Sequence, residues 1–94
     1  MAAARIAPPL LHSTNSVAAD FLRIDSEVAL TFSGMALAAT DAETRRRTAG
    51  VARRAYDTIA QLRWRIVLSD AERHKLDTNL RRVQSELQSL GQIL

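Results

Sequence analysis

Residues 69–91 read SDAERHKLDTNLRRVQSELQSLG, and this stretch decides the fold. Ser69 stands three residues before Glu72, a spacing at which the serine hydroxyl and the glutamate carboxylate each take one backbone N–H that a helix start leaves unpaired. A helix begins there. Leu76, Leu80, Val83, Leu87 and Leu90 then follow in steps of four and three, a narrow apolar stripe of the coiled-coil kind. Gly91 offers the left-handed stop. The spacing predicts a helix over 70–90 that buries one face.

Toward the N-terminus, Thr40-Asp41-Ala42-Glu43 repeats the capping pattern and predicts a second helix over 41–67. Its stripe is Thr48, Ala52, Ala55, Ile59, Leu62 and Ile66, widened by Tyr56, Ala60 and Val67. Cap candidates from Ser13 to Ser16 predict a first helix over 16–39, preceded by an extended arm over 1–15. On this helix Val17, Phe21, Ile24, Val28, Phe32 and Met35 share the face expected to meet the other two. The turns near 40 and 68 are short, so consecutive helices should run antiparallel. The expected architecture is an all-α, antiparallel three-helix bundle over 16–94. Should Gly50 not break the second helix and the turn at 68–69 fail to form, a long hairpin is the alternative.

Register follows by counting outward from the turns. Leu62 comes near Leu76, and small Ala52 and Ala55 face large Val83 and Leu87. Asp25 falls near Arg53 and Tyr56. A buried carboxylate must be paired, so a contact with one of them is expected.

Composition narrows the functional classes. The chain has 94 residues, 47% hydrophobic and 24% charged, which suits one folded domain. It has no cysteine, which removes disulfides and thiolate metal sites and fits a cytoplasmic location. The uncharged run Val28–Thr40 is too short to cross a bilayer that needs ~20 apolar residues, so no membrane span is expected.

Little in the chain suggests catalysis. No HExxH, glycine-rich phosphate loop, zinc spacing or EF-hand loop occurs. His12 and His74 have no predictable acid or base companion, and His74-Lys75-Leu76 lacks the small residue and glycine that follow a phosphorelay histidine. Most acidic residues stand at helix starts or three to four residues from an arginine. No enzyme activity, cofactor, metal or small-molecule substrate is expected.

Two surfaces remain. The net charge of +3 is uneven, with the surplus on residues 41–68. At 100° per residue Arg47, Arg54 and Arg65 form one basic ridge, enough for weak, salt-sensitive nucleic-acid binding by a small adaptor or regulator. The second surface lies on the first helix, where Ala19, Leu30 and Leu37, interleaved with Ser26 and Ser33, form a further face. Two neighbours would not cover it. Trp64 sits at the edge of the second helix. Either the 1–15 arm covers these groups with Ile6, Leu10 and Leu11, or another protein does. A homodimer or other protein contact through Ala19, Leu30, Ser33, Leu37 and Trp64 is the first expectation.

From Asp41-Ala42-Glu43-Thr44-Arg45-Arg46 through Ala52-Arg53-Arg54-Ala55-Tyr56-Asp57 to Leu68-Ser69-Asp70-Ala71-Glu72, the chain resembles short uncharacterised bacterial helical proteins. The likeness covers about half the chain and implies no activity.

Overall fold

A computed structural model describes residues 2–94, with side chains from Thr14 onward. Three helices follow one another: α1 (Ala2–Ala38), α2 (Ala42–Leu62) and α3 (Asp70–Ser89). A 3-10 turn, Arg63–Arg65, closes α2, and no strand occurs among the described residues. Gly50 lies inside α2 without interrupting it, and the turn before α3 is formed, so the long-hairpin alternative does not apply.

Local chemistry explains the boundaries. The Ser69 backbone N–H donates to Glu72 Oε1 at 2.8 Å, and the Glu72 N–H donates back to Ser69 Oγ at 3.1 Å. At the other end of α3, Gly91 has φ +89°, the Gly91 N–H reaches the Gln88 carbonyl and the Gln92 N–H reaches that of Leu87, both at 3.0 Å. This pair of bonds is the Schellman arrangement, and it uses two carbonyls that the helix end would otherwise leave unpaired. The start of α2 differs from expectation by one residue. Asp41, not Thr40, is the cap, and its carboxylate accepts from the Thr44 N–H at 2.8 Å. A carboxylate next to the positive helix end is a better acceptor than the neighbouring hydroxyl. The Arg45 guanidinium reaches back to the Ala39 carbonyl at 2.9 Å and satisfies the end of α1.

Helix α1 starts well before Ser16. Thr14 to Ser16 lie inside it, and Asn15 serves another purpose: its side-chain amide donates to the Val67 carbonyl at 2.9 Å and accepts from the Val67 N–H at 3.0 Å. The link between α2 and α3 is thereby tied to α1. The side chains of Ile6, Leu10, Leu11 and His12 lie outside the described residues, as does any cover they provide.

The core is a continuous column in two parts. Ala19, Leu22, Ile59, Leu68, Leu76 and Leu80 form one, with Tyr56, Leu62 and Ile66 against it. Ala29, Ala52, Ala55, Val83 and Leu87 form the other, with Leu30, Phe32 and Leu90 alongside. The stripes expected on α2 and α3 are buried or half-buried, but Ala60 and Val67, expected to widen the α2 stripe, are exposed, Val67 because α2 ends at Leu62. Ala52 and Ala55 meet Val83 and Leu87 as the register requires.

The inward face of α1 is the opposite of the expected one. Ala19, Leu22, Ser26, Ala29, Ser33 and Ala36 are buried, in alternating steps of three and four. Only Leu22 among them is large. Small residues let the α1 backbone approach its neighbours closely, and the bulk that fills the space comes from Ile59 on α2 and the leucines and valine of α3. The two serines cost little to bury because each has a partner on α3. Ser26 Oγ accepts from Asn79 Nδ2 at 3.0 Å and donates to the Arg23 carbonyl at 2.7 Å. Ser33 Oγ lies 2.6 Å from Glu86 Oε1 and 3.1 Å from the Leu30 carbonyl, and its single proton favours the shorter, charged acceptor. No buried side-chain polar atom among the described residues lacks a partner. Both cross-links join residues 53 apart, seven residues up each helix, which fixes α1 and α3 as parallel with α2 running the other way.

Candidate functional site

With the small face turned inward, the large side chains of α1 face out. Val17 is 69% exposed, Ile24 50%, Phe21 48% and Met35 47%, while Val28 is half-buried between them. Their spacing of 17, 21, 24, 28 and 35 is a heptad pattern with Thr31 completing the row. At 100° per residue they occupy an arc of roughly 60°, the width of a coiled-coil seam. Asp20 and Glu27 border this seam on one side and Asp25 on the other. Arg23 bridges the first two, 3.9 Å from Asp20 and 3.5 Å from Glu27. Helix α1 is thus a two-sided rod with one heptad row in the bundle and a second, larger one on the surface.

This geometry corrects the expected interaction face. Ala19 and Ser33 are buried within the bundle, Leu30 packs against the core, and only Leu37, 46% exposed, and Trp64, 81% exposed, are open. These five residues form no single surface. The reason is that both sides of α1 have the same period, so apolar bulk alone pointed to the wrong one.

The Asp25 contact does not form. Its carboxylate makes no hydrogen bond or ion pair with Arg53 or Tyr56. Arg53 is taken by Asp57, 3.1 Å away within α2, and by Gln92 Oε1 at 3.0 Å. Asp25 is only partly buried, so the pairing that full burial would demand is not required of it. Partial desolvation raises its pKa above the ordinary value.

The basic ridge is also broken. Arg47, Arg54 and Arg65 are all exposed, but α2 ends at Leu62 and Arg65 belongs to the 3-10 turn. Three residues at about 120° instead of 100° swing Arg65 roughly 60° away from the line of Arg47 and Arg54.

A different basic cluster, not apparent in the sequence, gathers around Asp77. Arg63 is hydrogen-bonded to Asp77, and its guanidinium stands 4.9 Å from the centroid of the Trp64 ring. That bond, with Arg81 and Arg73 one turn away on either side along α3, holds the Asp77 carboxyl below its ordinary pKa. The three arginines come from two elements, and only the α2–α3 register brings them together. Among the described residues no three His, Cys, Asp or Glu side chains converge as metal ligands, and no helix is long and apolar enough to cross a membrane.

Comparison with protein-family models, with curated proteins and with solved structures finds no match for this chain.

Proposed function

We propose that this chain is a non-catalytic, cytoplasmic helical interaction module that self-associates through α1. The observation that carries the reading is the outward heptad row Val17, Phe21, Ile24, Val28 and Met35. Isolated exposed apolar side chains are ordinary on any protein, but a contiguous row in heptad register is the surface that a second helix with the same row covers. A second copy supplies such a row by symmetry, each helix presenting to its partner the seam it needs.

The magnitudes favour a reversible contact. Each half-exposed side chain of the row has on the order of 1 kcal/mol left to gain on burial, so two copies together gain on the order of 10 kcal/mol. Association costs roughly 4–15 kcal/mol in lost freedom, which places the dimer in a weak, concentration-dependent range. Light scattering of the whole chain across a dilution series tests this. A mass that rises from one chain to two with concentration supports it, and a single-chain mass at millimolar protein rejects it.

A further inference from the structure

Trp64 is the sole tryptophan of the chain and the most exposed of its aromatic residues. Trp64 lies in the 3-10 turn that closes α2, off the buried stripe, and lines grooves with Arg73, Asp77, Leu80 and Arg81 of α3. One face of the ring is taken by the Arg63 guanidinium, and Arg63 is itself fixed by Asp77. The ring is thus anchored from below while the rest of its surface is open.

Two grooves meet at Trp64 and share Arg63, Trp64 and Asp77 as their common wall. One continues past Ile66 and Leu68 to Arg73, the other past Tyr56 and Leu80 to Arg81. Arg73 and Arg81 are exposed, and Asp77, the acidic residue lining the grooves, is already engaged by Arg63. The saddle therefore combines an open aromatic plane with a surplus of positive charge on either side. A protein partner seated here would meet a strongly cationic rim. A planar base joined to phosphate meets both features at once, since bases of every kind stack on an indole face and arginine binds phosphate through paired N–H groups.

We infer that the Trp64 saddle is a binding site for a nucleobase carrying phosphate, the base stacked on the open indole face and the phosphates held by Arg73 and Arg81, one at the end of each groove. This site stands apart from the α1 row and does not rest on self-association. A strand laid across both grooves and a free nucleotide share the same chemistry. The strand is the ligand that engages both grooves together.

The sole tryptophan makes the test direct. Trp64 fluorescence is titrated with a ten-residue oligothymidylate and, separately, with adenosine monophosphate, at 20 mM and 200 mM salt. Saturable quenching by the oligonucleotide is expected, with the binding constant falling as salt rises at a log–log slope of about −1.4, from about −0.7 for each of two phosphates. Quenching by the oligonucleotide alone assigns the site to strands, and equal quenching by the mononucleotide assigns it to free nucleotides. Both outcomes support the site. Arg73→Gln with Arg81→Gln keeps Trp64 in place and changes only exposed positions on α3, so the fold, checked by far-UV circular dichroism, stays intact. This variant should bind at least about tenfold more weakly. Absence of quenching by either probe at 20 mM salt, or undiminished binding by the double variant, overturns the inference.

Discussion

The Ser33 hydroxyl meets Glu86 Oε1 at 2.6 Å across the α1–α3 interface, seven residues above the Ser26–Asn79 contact in both helices. This pair shows why the small face of α1 is inside. The hydroxyl is fully buried and bonded to a charged acceptor, whose remaining ion-pair partner, Arg82, is 3.8 Å away. Ser33→Ala should lower stability by about 1.5–2 kcal/mol, the low end of the range for a hydrogen bond to a charged group, since Glu86 is only half-buried. Ser33→Leu should cost more, about 2–3 kcal/mol, because it forces a large side chain into a space that has none. Urea denaturation measures both, and an unchanged midpoint for Ser33→Leu is incompatible with this packing.

Asn15 ties the α2–α3 link to α1 through both Val67 backbone groups. Asn15→Ala removes both bonds at an exposed position, so the expected loss is about 1 kcal/mol. The more specific readout is amide hydrogen exchange, which should accelerate at Val67 while the centre of α2 stays protected.

Acid should weaken the bundle through its caps and the Arg63–Asp77 pair. The Ser69 backbone N–H, then its hydroxyl, hold Glu72 below its ordinary value of 4.5. The Thr44 backbone N–H holds Asp41 below 3.8, and the Arg63 hydrogen bond does the same for Asp77. A carboxyl depressed in the folded state contributes stability above its unfolded pKa and loses it as pH falls through the folded one. Thermal midpoints should therefore hold steady above pH 5 and decline below about pH 4.5, with further loss below 3.8. Ser69→Ala should cost about 1 kcal/mol of stability for the lost cap, which lowers the midpoint at pH 7, and should shrink the acid-induced decline.

Asp25 has the opposite sign. Burial raises its carboxyl pKa, so its charged form is disfavoured in the folded chain. Its cost is present at neutral pH and disappears as pH falls through the raised value. Asp25→Asn should thus raise the thermal midpoint at pH 7 and leave it unchanged at pH 3. A lowered midpoint at pH 7 indicates that the carboxylate has a favourable partner after all.

The sequence disclosed whatever depended on local chemistry. Ser69 with Glu72, Gly91, the α3 stripe and the Thr48-to-Ile66 row of α2 all use short-range spacing, and each stands where that spacing puts it, whereas Ala60 and Val67 are exposed. The inward side of α1 was not legible because two heptad rows run along it. Choosing Val17 and Phe21 over Ala19 and Ser26 weighs transfer energy, whereas the bundle selects for close approach and for hydroxyls that Asn79 and Glu86 can satisfy. The one-residue shift of the α2 cap from Thr40 to Asp41 depends on backbone angles that spacing alone does not set. The end of α2 at Leu62 broke the Arg47–Arg65 line, and the Arg63, Arg73 and Arg81 cluster depends on register between helices. A sole tryptophan flanked by two arginines was the available signal for that cluster.

The central claim is that the outward row of α1, and no other part of the surface, holds two copies together. Sedimentation equilibrium compares the unaltered chain with Ile24→Glu and with Leu37→Glu, all verified as helical by far-UV circular dichroism. The account predicts a reversible dimer for the unaltered chain and for Leu37→Glu, and a monomer for Ile24→Glu at every concentration. An Ile24→Glu chain that dimerises as strongly as the unaltered one contradicts it.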